Sequence, residues 1–123
     1  MDYLLVGLGG FLGANTRYLV ANWIGGRYGT SFPYGTMVIN VSGSFVIGFF
    51  LILVTERFLV HPGWRLFFAV GFLGGYTTFS TFSFESLALI QNGYWLLGLL
   101  NTLGSVVLGL AATLGGIVLA RLL

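Results

Sequence analysis

The chain has no cysteine, no lysine, a single histidine and two prolines in 123 residues, and only five arginines and three carboxylates to carry charge. Without a thiol there is no disulfide, redox or thiolate-zinc chemistry, and one histidine cannot supply the paired ligands of a metal centre. Charged residues make up 7% of the chain, against roughly a quarter in a soluble domain. What is present instead is apolar: 57% hydrophobic, 17% aromatic, 20 glycines and a mean hydropathy of +0.97. Such a chain cannot cover a globule with polar surface in water, so its solvent is the lipid bilayer. The isoelectric point near 9.3 comes from arginines scattered singly, not from the clustered basic face that binds nucleic acid, so no nucleic-acid partner is expected.

A hydrocarbon core about 30 Å thick takes about 20 apolar residues per helix. The chain divides into four such stretches, residues 3–23, 34–57, 64–91 and 94–122, which predicts an all-α membrane protein and a single four-helix transmembrane domain over 1–123. Between the first two lies a run from Gly25 to Pro33, too polar and too glycine-rich to remain in lipid. Val60-His61-Pro62-Gly63 blocks helix continuation, and Asn92-Gly93 is a turn that makes the third and fourth helices antiparallel neighbours. Asp2 stands where a secretory signal carries basic residues, so the N-terminal stretch reads as a retained span. Trp23, Tyr28, Trp64, Tyr94 and Trp95 fall near predicted helix ends, either as interfacial belts or as filling of the bundle.

Arginine placement orients membrane proteins. One face of the predicted bundle holds Arg57, Arg65 and Arg121; the other holds Arg27 and, if the first helix reaches it, Arg17. Three against two is a weak bias and predicts dual topology. Oppositely inserted copies can pair about a two-fold axis in the membrane plane, so an antiparallel homodimer is the expected minimum unit. Gly9-x-x-x-Gly13, Gly71-x-x-x-Gly75 and Ala111-x-x-x-Gly115 are spacings that allow close helix approach.

The third stretch carries the chemistry. Gly71-Phe72-Leu73-Gly74-Gly75-Tyr76-Thr77-Thr78-Phe79-Ser80-Thr81-Phe82-Ser83-Phe84-Glu85 puts a glycine pair and five hydroxyl residues where a span should be most apolar. A break in the helix near Gly74-Gly75, close to mid-membrane, is expected, and broken helices at that depth are tolerated only when buried in protein or lining a cavity. Phe79 and Phe82 share a helical face, with Ser80, Thr81 and Ser83 on adjacent faces. An aromatic ring has a positive edge. A small anion could therefore lie against the ring edges and take hydrogen bonds from these hydroxyls, Asn40 or Ser105; alternatively the rings are core packing and the hydroxyls bind helix to helix.

These residues resemble the CrcB/Fluc fluoride channels over essentially the whole chain. The resemblance is carried by Gly13-Ala14-x-x-Arg17, by Gly35-Thr36-x-x-x-Asn40, and by the run from Gly71 to Ser83 with Glu85. It implies a dual-topology antiparallel homodimer with two pores, passively exporting fluoride from the cytoplasm across the plasma membrane of a bacterial or archaeal cell. Phe79 and Phe82 then look like the paired pore phenylalanines and Asn40 like the pore-lining asparagine. Ser80 and Thr81 resemble the polar track, with Ser105 its fourth-helix partner. The resemblance also implies a structural sodium ion at the dimer centre, held by the backbone carbonyls of Gly74 and Thr77. Arg17 resembles a vestibule arginine that concentrates anions, and reads equally as a snorkelling anchor. Asn101 stands where some relatives carry Tyr or His, which leaves open whether Asn101 or Ser105 supplies the fourth-helix donor.

The rival from another class is a proton-coupled exporter of small cations, which needs a carboxylate inside the membrane. Only Glu85 is positioned for that role, and its plainer reading is a carboxylate paired or hydrogen-bonded near the end of the third helix. No enzyme is expected: His61 sits in a Pro-Gly turn with no nucleophile beside it and no acid to orient it.

Overall fold

A computed structural model describes residues Met1–Leu123. It is built of helices alone: α1 Asp2–Tyr28, α2 Tyr34–Arg57, α3 residues 62–76, α4 Phe79–Gln91 and α5 Trp95–Leu122. Helices α1, α2 and α5 are each long and apolar enough to cross a membrane, whereas the third stretch is divided between α3 and α4. The end of α2 and residues 65–73 of α3 are wound in the wider i→i+5 pattern, as in the bond from the Phe58 amide to the Leu53 carbonyl at 2.7 Å.

Helix α1 runs five residues past its expected end at Trp23. Gly25 and Gly26 stay helical, and the chain turns only at Gly29, whose φ of +80° suits a residue without Cβ. The Arg27 guanidinium lies 5.0 Å from the centre of the Trp23 ring one turn earlier and supports this last stretch. The Asn92-Gly93 turn forms as expected. Gly93 has φ +90°, its amide donates to the Ile90 carbonyl, and the Tyr94 amide donates to the Leu89 carbonyl. Those two bonds close a Schellman motif that ends α4 and reverses the chain into α5.

The helix break exists, displaced from its expected position. Gly74 and Gly75 are helical; the extended residues are Thr77 (φ −81°, ψ 157°) and Thr78 (φ −148°, ψ 122°). The glycine pair is explained by packing. A Cβ on Gly75 would stand 2.8 Å from the Gly10 carbonyl oxygen, and one on Gly71 2.8 Å from that of Val6. From the opposite side, a Cβ on Gly9 or Gly13 would collide with the carbonyls of Phe67 or Phe72. Two of the three expected small-residue spacings thus face one another across the contact between α1 and α3. The third does not form its seam through Ala111 and Gly115. Contact between α2 and α5 runs through Gly48 against the Thr113 carbonyl and Gly116 against the Phe45 carbonyl, one residue round the helix.

Only 17 of the 123 residues are buried, and most large apolar side chains face outward. In water that surface would aggregate, so lipid or another protein surface covers it. Trp23, Tyr28, Trp64, Tyr94 and Trp95 all lie exposed at helix ends and fill no core, in keeping with interfacial belts. His61 Nδ1 accepts from the Gly63 amide at 2.9 Å and caps the start of α3.

Candidate functional site

A concavity of about 420 Å³ opens where α2, α5 and the α3–α4 break meet. Asn40 comes from α2, Ser105 and Thr113 from α5, and Thr78, Phe79 and Phe82 from the break and the first turns of α4. The Thr78 hydroxyl accepts from the Thr81 amide at 3.3 Å, capping α4 at the point where its ring-bearing face begins. Phe79 and Phe82 then fall on the cavity side, centroids 5.9 Å apart and planes tilted by 52°. The Phe82 ring is 9% exposed and the Phe79 ring 79% exposed, so within one chain the wall is finished on one side only.

The hydroxyls around the cavity divide into those already committed and those free to donate. Ser44 donates to the Asn40 carbonyl at 2.7 Å, Thr77 to Leu73 at 3.0 Å and Thr113 to Gly109 at 3.0 Å, which spends their single proton on their own helix. Thr78 only accepts, and Ser105 donates to Asn101 Oδ1 in a long bond of 3.4 Å. The Thr78 hydroxyl and one N–H of Asn40 are the wall's available donors, and the Ser105 proton is the most weakly held of those already committed. Ser80 and Thr81 do not line the cavity, because at 100° per residue they turn off the face shared by Phe79 and Phe82.

Asn40 grips the break. Its Nδ2 donates to the Thr78 carbonyl at 2.9 Å and its Oδ1 accepts from the Thr78 amide at 2.8 Å. Arg17 reaches the same break, its Nε donating to the Gly75 carbonyl at 3.2 Å. The carbonyls of Gly74 and Thr77 accept no hydrogen bond, and both residues line the cavity. Unspent carbonyls at the C-terminal, negative end of a helix are hard oxygen donors of the kind a small cation takes, so these two residues fit a sodium ion.

Residues 4–117 match the family described as CrcB-like protein, Camphor Resistance (CrcB). The chain is 54% identical over 121 residues to the fluoride-specific ion channel FluC of Solibacter usitatus, covering 98% of this chain and 99% of the relative. It is 49% identical over 107 residues to that of Koribacter versatilis, at 87% and 85% coverage, and 44% identical over 123 residues to that of Roseiflexus sp., at 100% and 99%. The chain belongs to the CrcB family. These relatives are ion channels and not enzymes, and with its apolar helices this CrcB chain is a multi-pass membrane protein.

Three features of this CrcB chain escape a reading of its sequence. Thr78 is the cap and a free donor; its signal is a hydroxyl residue directly before a run with helical apolar spacing. Ser86 is buried and accepts from Asn101 Nδ2 at 2.8 Å, so Asn101, itself 1% exposed, links α4 to α5 and holds Ser105 in line. Nothing in sequence spacing pairs residues on two helices in this way. Glu85 departs from its plainer reading. Its Oε1 is buried without a hydrogen-bond partner, beside a second cavity of about 450 Å³ that Thr30, Ser31, Asn92 and Tyr94 help to line.

Proposed function

We propose that this chain is a fluoride-selective channel that lets fluoride leave the cytoplasm passively across the plasma membrane and so relieves fluoride toxicity. The observation that carries the reading is the juxtaposition of the Phe79–Phe82 pair with the uncommitted Thr78 hydroxyl and the weakly bound Ser105 hydroxyl on one cavity wall. The names of the relatives, fluoride-specific ion channels, supply the ion.

Fluoride is small and strongly hydrated, so a conducting path must replace its water with donors while binding it weakly enough to release it. Ring edges of Phe79 and Phe82 offer diffuse positive potential; Ser105, Thr78 and the second N–H of Asn40 offer discrete hydrogen bonds. Ser80 and Thr81 extend the polar surface of α4 beyond this cavity. No energy-coupling group is invoked, and the ion runs down its own gradient.

The unit is an antiparallel, dual-topology homodimer with two pores. A phenylalanine ring left 79% exposed at the rim of the cavity supports this, since a second copy would complete the wall. The free carbonyls of Gly74 and Thr77 from each copy would hold a structural sodium ion at the dimer centre, where it would neutralise four converging oxygen dipoles. The four-span count follows if α3 and α4 cross the membrane together as one interrupted span.

The test is efflux from liposomes loaded with fluoride or chloride, with sodium present. Rapid loss of fluoride with chloride retained is the expected result. A correctly inserted protein that releases neither anion would remove the channel reading and turn attention to Glu85 as the carboxylate of a cation exporter.

A further inference from the structure

Side chains from α1 and α2 reach all but one of the four residues where α3 gives way to α4. Arg17 Nε donates to the Gly75 carbonyl at 3.2 Å, the Ser42 hydroxyl meets the Tyr76 hydroxyl at 3.0 Å, and Asn40 takes Thr78 twice, at 2.8 and 2.9 Å. The double contact has a geometric cause. An extended residue turns its own N–H and C=O toward the same side, as in the hydrogen-bonded pairs of an antiparallel sheet. With φ −148° and ψ 122°, Thr78 presents that pair to α2, and a carboxamide offers the matching donor and acceptor in one planar fork.

The contact matters because of where it lies. Backbone groups freed by a helix break at membrane depth have no bulk water to turn to and must be satisfied by protein. Asn40 is the only partner of the Thr78 amide and carbonyl. Thr78 in turn caps α4 through its hydroxyl, and Phe79 and Phe82 follow within the first turn. The direction of the two rings is thus inherited from the direction of one peptide unit, and that peptide is gripped by one side chain.

We infer that Asn40 is a positioning residue: its carboxamide locks Thr78 in the extended conformation and thereby aims Phe79 and Phe82, a role separate from any bond its second N–H makes to the ion. Only the transport arm of the test rests on the fluoride-channel reading.

The experiment is amide hydrogen exchange resolved to Thr78 in the reconstituted full chain, for the wild type, Asn40→Asp and Asn40→Ser, beside fluoride efflux from liposomes. Asn40→Asp keeps an acceptor for the Thr78 amide and loses the donor to its carbonyl; Asn40→Ser reaches neither. Orphaning a buried donor costs about 1–3 kcal/mol, so the Thr78 amide should exchange about ten- to a hundredfold faster in Asn40→Ser, with Asn40→Asp between it and the wild type. Amides of α1 and α5 should exchange as in the wild type, and fluoride efflux in Asn40→Ser should fall at least about tenfold. Equal protection of Thr78 in all three proteins would overturn the clamp. Lost efflux with Thr78 still protected would make Asn40 a direct ligand, and unchanged efflux with protection lost would remove its aiming role. Should Asn40→Ser fail to fold, Asn40→Asp decides through transport: it loses the bond to the Thr78 carbonyl, and fluoride efflux unchanged from the wild type overturns the inference. A wild type that moves no fluoride would sink the channel reading, while the protection series would still judge the clamp.

Discussion

Phe79 and Phe82 stand three residues apart on α4, and their surroundings differ as sharply as two phenylalanines can: one ring is largely exposed and the other buried. Phe82→Ile removes a ring from a packed wall, whereas Phe79→Ile removes one from an open rim, so the first should lower thermal stability more than the second. Buried aromatic truncations cost up to about 3–5 kcal/mol when taken to alanine, and an isoleucine that refills part of the space should cost less. Fluoride efflux should be lost in both if the rings form the path, and melting curves run beside the flux assay separate the two effects. Glu85→Gln gives the contrast. It removes a charge whose Oε1 has no partner, so folding should be unharmed, and fluoride efflux should persist if the phenylalanines and not the carboxylate carry transport. At this scale the sequence was informative about residue types: the phenylalanine pair, Asn40 and Ser105 are legible and do meet at one cavity. The commitments of individual hydroxyls were not legible, because a proton given to a carbonyl one turn back leaves no mark on the residue's name.

Among the helices, glycine decides how closely two axes approach, and the decision differs between positions on one helix. Gly9→Ala would drive a methyl group into the Phe67 carbonyl on α3, while Gly26→Ala on the same α1 meets nothing within 4 Å. The first should be destabilising by about 1–3 kcal/mol or block assembly, as overpacking does. The second should be neutral or stabilising by up to about 1 kcal/mol, the helix-propensity difference between alanine and glycine. Thermal unfolding of both variants in the same detergent checks the pair; equal losses would mean that α1 does not pack on α3 through this face. The spacings Gly9-x-x-x-Gly13 and Ala111-x-x-x-Gly115 both announce a close approach, yet only the first brings backbone against backbone; a Cβ on Gly115 would meet no more than the edge of the Phe45 ring, at 3.8 Å. Spacing marks a helix face able to pack closely, and which face is used depends on the neighbour's position, as Gly116 and Gly48 illustrate between α5 and α2.

For the molecule as a whole, the arginines at the two ends are less balanced than the chain alone suggests. Arg17 is bound at the depth of the break, which leaves Arg57, Arg65 and Arg121 at one end and Arg27 at the other. Arg121 is paired with Glu56 at 3.1 Å, and Arg57 also reaches the Arg121 carbonyl, so these charges tie α2 to α5 at the membrane edge. An antiparallel homodimer requires insertion in both directions despite this asymmetry. Labelling of single cysteines introduced at Thr30 and at Leu59, in sealed vesicles, should find each position accessible from both sides. Exclusive labelling from one side at both sites would rule out the antiparallel pair and leave the open rim at Phe79 to some other cover.

The sequence by itself determined the solvent, the all-helical class, the turn at Asn92-Gly93 and the stretch in which a span is interrupted. Each of these follows from local quantities: hydropathy, backbone freedom at glycine, and side-chain type along one stretch. The tertiary structure alone decided that the break falls at Thr77-Thr78 and not at the glycine pair, that Asn40 and Arg17 hold it, and that Ser86 and Asn101 join α4 to α5. Those outcomes depend on which backbone groups are left unpaired once the helices have packed, and a donor on one helix finds an acceptor dozens of residues away only after the glycines have let the axes close.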